Sequence, residues 1–206
     1  MTGRPTLNQR RRESTRLEIA RAAAALFAAR GAEATTAEEI AQASGISLRT
    51  FYRYFSEKED AVAPLLAAGG ERWVRLFAEG SAGLPVREAL ERSAAESLTP
   101  PDDDAVEAMQ WTRDLLRDPR LASVWQRVHA DSEQRLHLAI AARCPQGTDV
   151  LEIRLAAAAA TTAIRVALEQ WAVSGAAATG PGSPRELGAR CMHELTAGLG
   201  LWARVS

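Results

Sequence analysis

The sequence predicts an all-α protein in which a small N-terminal helical unit is joined to a larger helical body. Apolar residues recur at helical spacing through almost the whole chain, and strand patterns are nearly absent. Hydroxyl-x-x-Glu sequences, which cap helix N-termini, recur within the first 60 residues. With 206 residues, 47% of them hydrophobic, the chain is long enough to bury a full core.

Charge is divided unevenly along the chain. Positions 1–53 hold nine arginines and five glutamates, a net charge of +4, whereas the whole chain carries -1. This distribution favours a nucleic-acid-binding N-terminus on a neutral-to-acidic body. Two cysteines do not suggest a disulfide framework, and neither an apolar leader nor a membrane-spanning run is apparent. We therefore expect a cytoplasmic protein with no membrane partner.

The N-terminal helices are predicted from their capping residues. Positions 1–12 contain four arginines and no acid, and we expect a flexible basic arm that either follows DNA or is simply solvated. The first helix is predicted to begin at Thr15, with Glu18 completing a capping box, and to end at Gly31.

Capping residues also predict where the next three helices begin. Thr36 and Glu39 predict the start of the second helix, and Ser47 is expected to cap the third. Ser56 with Glu59 predicts a fourth helix that continues to about residue 77.

That fourth helix is expected to contain Pro64 in its interior, where proline removes a backbone hydrogen bond. Pro64 is therefore interpreted as either a hinge or a static kink. The periodicity then predicts helices over 84–98, 104–116, 119–143 and 149–174, and a last helix that begins at Pro184.

The third helix divides into faces on a helical wheel. Phe51 and Phe55 lie on one side, Arg49 and Arg53 lie on the opposite side, and the chain's two tyrosines fall on the flanks. A helix in the DNA major groove needs an apolar back, long donors toward the bases and hydroxyls toward the phosphates. Leu48 falls at the edge of the apolar face and fits either the core or a thymine methyl. The other interpretation of this segment is an ordinary half-buried surface helix.

Positions 13–62 resemble the TetR family of one-component bacterial transcriptional repressors. The segments that carry the resemblance are ATTAEEIAQASGIS and LRTFYRYFSEKED. The resemblance implies a helix-turn-helix domain at 13–60 and a ligand-binding and dimerisation domain at 61–206. It implies that the DNA bases are read by Leu48, Arg49 and Arg53. The residues it implies as phosphate contacts are Thr36, Ser47, Thr50, Tyr52, Tyr54 and Lys58.

The expected function is therefore that of a homodimeric transcriptional regulator, acting as a repressor or an activator. It is expected to bind a near-palindromic double-stranded DNA operator and to respond to a small, largely hydrophobic effector. Pocket candidates are the large side chains of the central helices: Trp73, Phe77, Met109, Trp111, Trp125, His129 and Trp171. The run WTRDLLRDPRL loosely resembles a branch of the family associated with acyl-CoA-like effectors. The dimer interface is expected to involve Ile164, Leu168, Leu187, Cys191, Leu195, Leu199 and Trp202.

The sequence does not favour catalysis. It contains no phosphate-binding loop or nucleophile elbow, and it suggests no cofactor. His129, Glu133 and His137 follow one another at intervals of four, but each step drifts by about 40° around the helix, which argues against a metal site. The remaining alternative is a helical interaction module or an enzyme with a vestigial DNA-binding motif.

Overall fold

The computed structural model describes residues 6–80 and 83–196, and over these ranges the chain is helical and contains no strand, which confirms the all-α prediction. The α-helices of the described residues are α1 Leu7–Arg30, α2 Ala37–Ala43, α3 Leu48–Tyr54, α4 Ala63–Glu79, α5 Val86–Ser97, α6 Asp103–Arg117, α7 Ala122–Arg143, α8 Val150–Ser174 and α9 Pro184–Thr196. Short 3-10 turns at Glu59–Val62 and Pro119–Leu121 precede α4 and α7. Across the described ranges, every helix is too short or too polar to cross a bilayer.

Helix α1 begins earlier than the sequence predicted. Its N-cap is Thr6, which forms a reciprocal capping box with Gln9, and the Thr15 hydroxyl instead donates to the Arg11 carbonyl at 3.0 Å inside the helix. The part of the expected flexible arm from Leu7 onward is therefore helical, and positions 1–5 lie outside the described residues. Arginine and glutamine have high helix propensity, so this turn forms without an apolar face.

Helices α2 and α3 begin where the capping residues placed them. Thr36 and Glu39 form the predicted capping box, and the Ser47 hydroxyl accepts a hydrogen bond from the Thr50 backbone N–H. Between the two helices Gly45 has a φ of 66°, a left-handed conformation that favours glycine. The predicted helix-turn-helix geometry is thus set by local chemistry.

The start of α4 differs from the prediction. Lys58 precedes a 3-10 turn, Ser56 does not cap a helix, and α4 begins only at Ala63. Pro64 is consequently the second residue of α4, where its missing N–H would have no partner inside the helix. The prediction that Pro64 interrupts a helix interior was wrong, and with it the argument for a kink or hinge at this residue.

Two hydrophobic cores hold the helices together. The first packs α1, α2 and α3 around Phe27 and Phe51, and it also includes Leu115, Leu121 and Val128 from α6, the 3-10 turn and α7. The second lies among α4, α5, α7, α8 and α9. The N-terminal helices therefore share a core with α6 and α7 of the helical body.

Candidate functional site

Helix α3 presents the two faces expected of a helix that binds DNA. Phe51 and Phe55 are buried in the first core at 0% and 4% exposure. Arg49 and Arg53 are exposed, and Tyr52 is 53% exposed. Large aromatic side chains anchor the back of the helix, while two guanidinium groups and a phenol project into solvent.

Tyr54 lies on the other flank of α3 and is half-buried against the first core. Two guanidinium groups lie over its ring. The guanidinium carbon of Arg53 is 5.5 Å from the ring centroid, and that of Arg12 is 6.0 Å from it. Arg12 belongs to α1, so the helical extension of α1 brings additional positive charge beside α3. The sequence did not reveal this, because it requires knowing that residues 7–12 are helical.

Leu48 is half-buried and packs against the first core. Packing therefore accounts for its apolar side chain without a contact to a base. The base contact implied by the family resemblance remains a prediction.

The hydroxyl groups expected to contact phosphate lie at the starts of α2 and α3. Thr36 Oγ1 accepts from the Glu39 N–H at 3.2 Å, and Ser47 Oγ accepts from the Thr50 N–H at 3.1 Å and lies 2.9 Å from Thr50 Oγ1. Thr36 and Ser47 are exposed and Thr50 is half-buried. Each capping oxygen already accepts a backbone hydrogen bond. The Thr36 hydroxyl keeps its own proton to donate to an anion, whereas Ser47 and Thr50 form one hydrogen bond between their hydroxyls, so one of those two protons is left to donate.

Glu39, three residues after Thr36, forms an ion pair with Arg30. The backbone N–H of Thr36 and the guanidinium of Arg30, 2.7 Å away, lower the pKa of Glu39. The carboxylate is thus held ionised in its capping position, while Arg30 offsets its negative charge beside the start of α2.

Lys58 has a structural role that the sequence did not show. Its ammonium donates to the carbonyls of Ala32 and Thr35, each at 2.7 Å, and so fixes the loop between α1 and α2. These acceptors are 26 and 23 positions away along the chain, so no local pattern identifies them. The Glu33 carbonyl lies 3.5 Å and the Glu59 carboxylate 3.9 Å from the same ammonium. A contact of Lys58 with phosphate stays a prediction.

A cavity of about 240 Å³ lies among α4, α5, α6, α7 and α8. It brings together five of the seven predicted pocket residues: Trp73, Met109, Trp125, His129 and Trp171. Phe77 instead lies in the second core, with the Arg143 guanidinium carbon 4.8 Å from its ring centroid. Trp111 packs against the first core. These two residues were predicted from size and helical position, which do not separate cavity walls from filled core.

The wall formed by Trp125 and His129 separates this cavity from an outer cleft of about 440 Å³ that also contains Arg165 and Glu169. The indole N–H of Trp125 donates to Glu169 Oε1 at 3.0 Å. Nε2 of His129 is buried and has no hydrogen-bond partner in the protein. Burial, reinforced by the positive charge of Arg165, lowers the pKa of His129, and Glu169 offsets part of this effect.

Residues 19–63, which include α2 and α3, match the family model described as bacterial regulatory proteins of the tetR family. The chain is also 32% identical over 152 residues to the HTH-type transcriptional regulator TcmR of Streptomyces glaucescens, an alignment covering 71% of this chain and 66% of TcmR. The chain belongs to the TetR family.

Solved structures of TetR-family fold extend over more of the chain. The fatty acid degradation regulator FadR of Bacillus halodurans superposes with a TM-score of 0.57 at 19% identity, covering 90% of this chain and 96% of FadR. SmeT, the repressor of the Stenotrophomonas maltophilia multidrug efflux pump SmeDEF, superposes with a TM-score of 0.58 at 18% identity, covering 90% and 92%. At these identities the likeness concerns the fold.

The TetR-family match confirms the resemblance that the sequence suggested, and the proteins matched are regulators rather than enzymes. The family model ends at residue 63, close to the start of α4. The alignment with TcmR spans just under two thirds of that protein's length.

The residues predicted for a dimer interface are not all on the surface. Ile164 and Leu168 line the cavity, Leu187 and Cys191 are half-buried, and Leu195 is 43% exposed. Leu199 and Trp202 lie outside the described residues. Five large apolar residues of α8 are exposed, Val150, Leu151, Leu155, Val166 and Val173, and the last four fall on one side of a helical wheel. We call these four residues the α8 stripe; they recur at helical spacing, but the sequence alone did not show which side of α8 faces outward.

Proposed function

We propose that this TetR-family protein is a transcriptional repressor that binds a near-palindromic DNA operator as a homodimer and is released by a small effector. The observation that carries the proposal is the division of α3, with Phe51 buried and Arg49, Tyr52 and Arg53 projecting from the opposite surface. Such a helix enters the major groove with its donors toward the base edges and its hydroxyls toward the phosphates.

Base reading is assigned to Arg49 and Arg53. A guanidinium donates two hydrogen bonds to guanine O6 and N7, so each operator half-site is expected to contain at least one guanine. Phosphate contacts are assigned to Thr36, Ser47, Thr50 and the two tyrosines, with Arg12 added because it lies beside Tyr54. Residues 13–60 make up the proposed DNA-binding domain.

Dimerisation is proposed because two recognition helices must reach successive major grooves, about 34–36 Å apart. The α8 stripe, at 40–70% exposure, offers an apolar surface for a second copy of the chain. Leu195 on α9 is also exposed, at 43%. An exposed apolar helix face of this kind is typical of a protein interface. We assign residues 61–206 to ligand binding and dimerisation.

The effector site is proposed to be the 240 Å³ cavity, whose walls are mainly apolar and aromatic. Ligand pockets for drug-sized molecules occupy about 300–1,000 Å³, so this cavity accepts only a compact ligand. An acyl-CoA-like effector fits less well, because its nucleotide portion would have to lie outside the cavity. Effector binding weakens operator binding only to the extent that the effector binds the two conformations with different affinity.

The experiment is a titration of a fluorescent fragment of the protein's own promoter region at several salt concentrations. We expect a tight complex whose affinity falls as salt rises, and an operator footprint with two half-sites. Weak binding with no preference over unrelated DNA would overturn the proposal. Stimulation of transcription on binding would keep DNA recognition and replace the repressor by an activator.

Variants test the assignment of base reading. Arg49→Ala or Arg53→Ala is expected to relax discrimination at one base pair of each half-site by about 1–3 kcal/mol. Arg92→Ala, which removes an exposed arginine on α5, is the matched control for charge and should leave base preference unchanged. An equal loss of affinity for every sequence would assign the α3 arginines to the phosphates.

A further inference from the structure

The walls of the cavity are suited to a flat apolar ligand. Three of its side chains are indoles, from Trp73 on α4, Trp125 on α7 and Trp171 on α8, and Met109 on α6 adds a thioether. Aromatic rings bind other rings through stacked and edge-to-face contacts, and a thioether packs well against a ring. The wall composition therefore favours an aromatic ligand over a long flexible chain.

The indole N–H groups do not point their hydrogen bonds into the cavity. Trp73 donates to the Ser93 hydroxyl at 3.0 Å, Trp125 donates to Glu169 at 3.0 Å, and Trp171 donates to the carbonyls that follow α8, the nearest at 2.9 Å. An indole has a single donor and no acceptor, so these three rings offer a ligand only their apolar surfaces.

The hydroxyl groups of the cavity are also committed as donors. Each donates to a backbone carbonyl three or four residues earlier in its own helix, at 2.7–2.9 Å; these residues are Ser97, Thr112, Ser132 and Thr161. A hydroxyl whose proton is used in this way keeps oxygen lone pairs and acts as an acceptor. The polar spots on the wall therefore accept hydrogen bonds.

His129 supplies the remaining polar contact. Its Nε2 is a buried atom without a protein partner, a condition that disfavours the unliganded state because a buried polar group has lost its water. Burial lowers the pKa of this imidazole and so favours its neutral form, which has one acceptor nitrogen and one N–H. A ligand hydroxyl pairs with either nitrogen, since it both donates and accepts.

Full charge on the ligand is disfavoured by the same walls. Among the residues described around the cavity, the permanently charged side chain is Arg72, and its guanidinium donates to the carbonyls of Thr99 at 3.0 Å and Ser97 at 3.4 Å. A carboxylate in the cavity would also face the oxygen lone pairs of the four hydroxyls. A neutral donor meets no such repulsion.

We infer that the effector is a compact, uncharged aromatic compound bearing a hydroxyl group, and that this hydroxyl forms a hydrogen bond with His129. The inference rests on the proposed effector site and adds the chemical class of its ligand. Its decisive feature is the match between a wall that presents acceptors and a ligand that brings a donor.

A pair of probes of almost equal shape tests this inference on the full chain. Calorimetric titration compares 2-naphthol, which has a hydroxyl donor, with 2-methoxynaphthalene, in which a methyl group replaces the proton. We expect 2-naphthol to bind on the order of five- to tenfold more tightly, the difference given by about one buried neutral hydrogen bond. Equal affinities, or tighter binding of the methyl ether, would overturn the inference.

Two histidine variants locate the hydrogen bond. His129→Phe keeps a planar ring but removes the ring nitrogens. This variant should bind the two probes with about equal affinity. His137→Phe is the matched control: His137 also lies on α7 and has a buried unpartnered nitrogen, but it does not line the cavity. It should leave the difference between the probes intact. If His129→Phe fails to fold, the comparison on the unaltered protein still decides the class of ligand.

Competing classes are included as further titrations. Tighter binding of 2-naphthoate or octanoyl-CoA than of 2-naphthol, or no binding of either naphthalene probe, would overturn the inference. Because these titrations contain no DNA, their result is independent of operator binding. Failure to bind an operator would remove the proposed regulatory function and leave the ligand class standing, whereas equal binding of the probes removes the ligand class alone.

Discussion

Asp118, at the turn between α6 and α7, accepts a hydrogen bond from the backbone N–H of Ala32 at 2.9 Å. Its other oxygen accepts from the Arg120 N–H at 3.0 Å and so caps the 3-10 turn that precedes α7. The Ala32 carbonyl is held in turn by Lys58 at 2.7 Å. One carboxylate therefore joins the helices that carry the cavity to the loop that leads into α2.

Removing this carboxylate should weaken both the fold and its response to ligand. For Asp118→Ala we expect a loss of about 1–3 kcal/mol in the free energy of unfolding, because a helix cap and a half-buried hydrogen bond disappear together. Urea unfolding measures this change. We also expect the effector to shift operator affinity by a smaller factor, which a DNA titration with and without 2-naphthol measures.

Two controls separate the hydrogen bond from the neighbouring charges. Asp118→Asn keeps one side-chain oxygen and should retain much of the stability. Arg120→Ala removes an ion pair with Glu33 whose side chains are 50% and 77% exposed, and such exposed pairs contribute about 0–1 kcal/mol. A stability for Asp118→Ala equal to that of the wild type would show that the contact between the two parts of the chain does not stabilise the fold.

Local chemistry made part of this structure predictable from the sequence. The caps at Thr36 and Ser47 lie within three residues of the groups they bind, so the starts of α2 and α3 were confirmed. The start of α1 was missed because its first turn has no apolar face to produce a period. The position of Pro64 was misjudged because a 3-10 turn delays the start of α4 by several residues.

Contacts between residues far apart in the sequence determine the pairing of Lys58 and the orientation of α8, which could not be predicted from the sequence. Five of the large residues proposed for the pocket line the cavity, but the pairing of Lys58 with carbonyls 23 and 26 positions away depends on the fold. The same holds for α8, which has apolar residues on more than one side. Periodicity shows that such a helix is packed, and only its neighbours decide that Ile164 faces the cavity while Leu155 faces solvent.

Gly70 marks a close approach between α4 and α7. A Cβ added there would lie 2.6 Å from Ser132 Oγ and 3.3 Å from Ser132 Cβ, whereas a Cβ at Gly69 meets nothing within 4 Å. We expect Gly70→Ala to lower the free energy of unfolding by about 1–2 kcal/mol, since overpacking exceeds the gain in helix propensity. Thermal and urea unfolding check the value.

The neighbouring glycine supplies the matched control. Gly69→Ala should raise the free energy of unfolding by about 0.5–1 kcal/mol through helix propensity alone. Adding Ser132→Ala to Gly70→Ala should recover most of the loss, because the nearest contacting atom is then absent. Identical effects of the two glycine substitutions would mean that α4 and α7 do not approach each other at Gly70.

The titration of His129 gives a pH dependence of stability. Its pKa lies below the ordinary value of 6.5, chiefly because burial disfavours the charged imidazolium. The unfolded chain then binds the proton more readily than the folded protein, so this contribution to stability is present above pH 6.5 and is lost as the pH falls below it. Unfolding free energies measured through this range should fall more steeply for the wild type than for His129→Phe. Parallel curves for the two proteins would show that His129 titrates alike in both states.

The α8 stripe provides the test of dimerisation. Leu155 is 47% exposed on α8, and Leu138 is 60% exposed on α7, so both accept a charged side chain in the monomer. We expect Leu155→Arg to place an unpaired charge in an apolar interface and to weaken the dimer on the order of a hundredfold, about 3 kcal/mol. Sedimentation velocity should then show monomers at concentrations where the wild type is dimeric, and the operator should be bound only weakly, since one chain reaches one half-site.

Leu138→Arg adds the same charge to a different apolar position and should leave both properties unchanged. A dimer that survives Leu155→Arg but dissociates with Leu138→Arg would move the interface from α8 to α7.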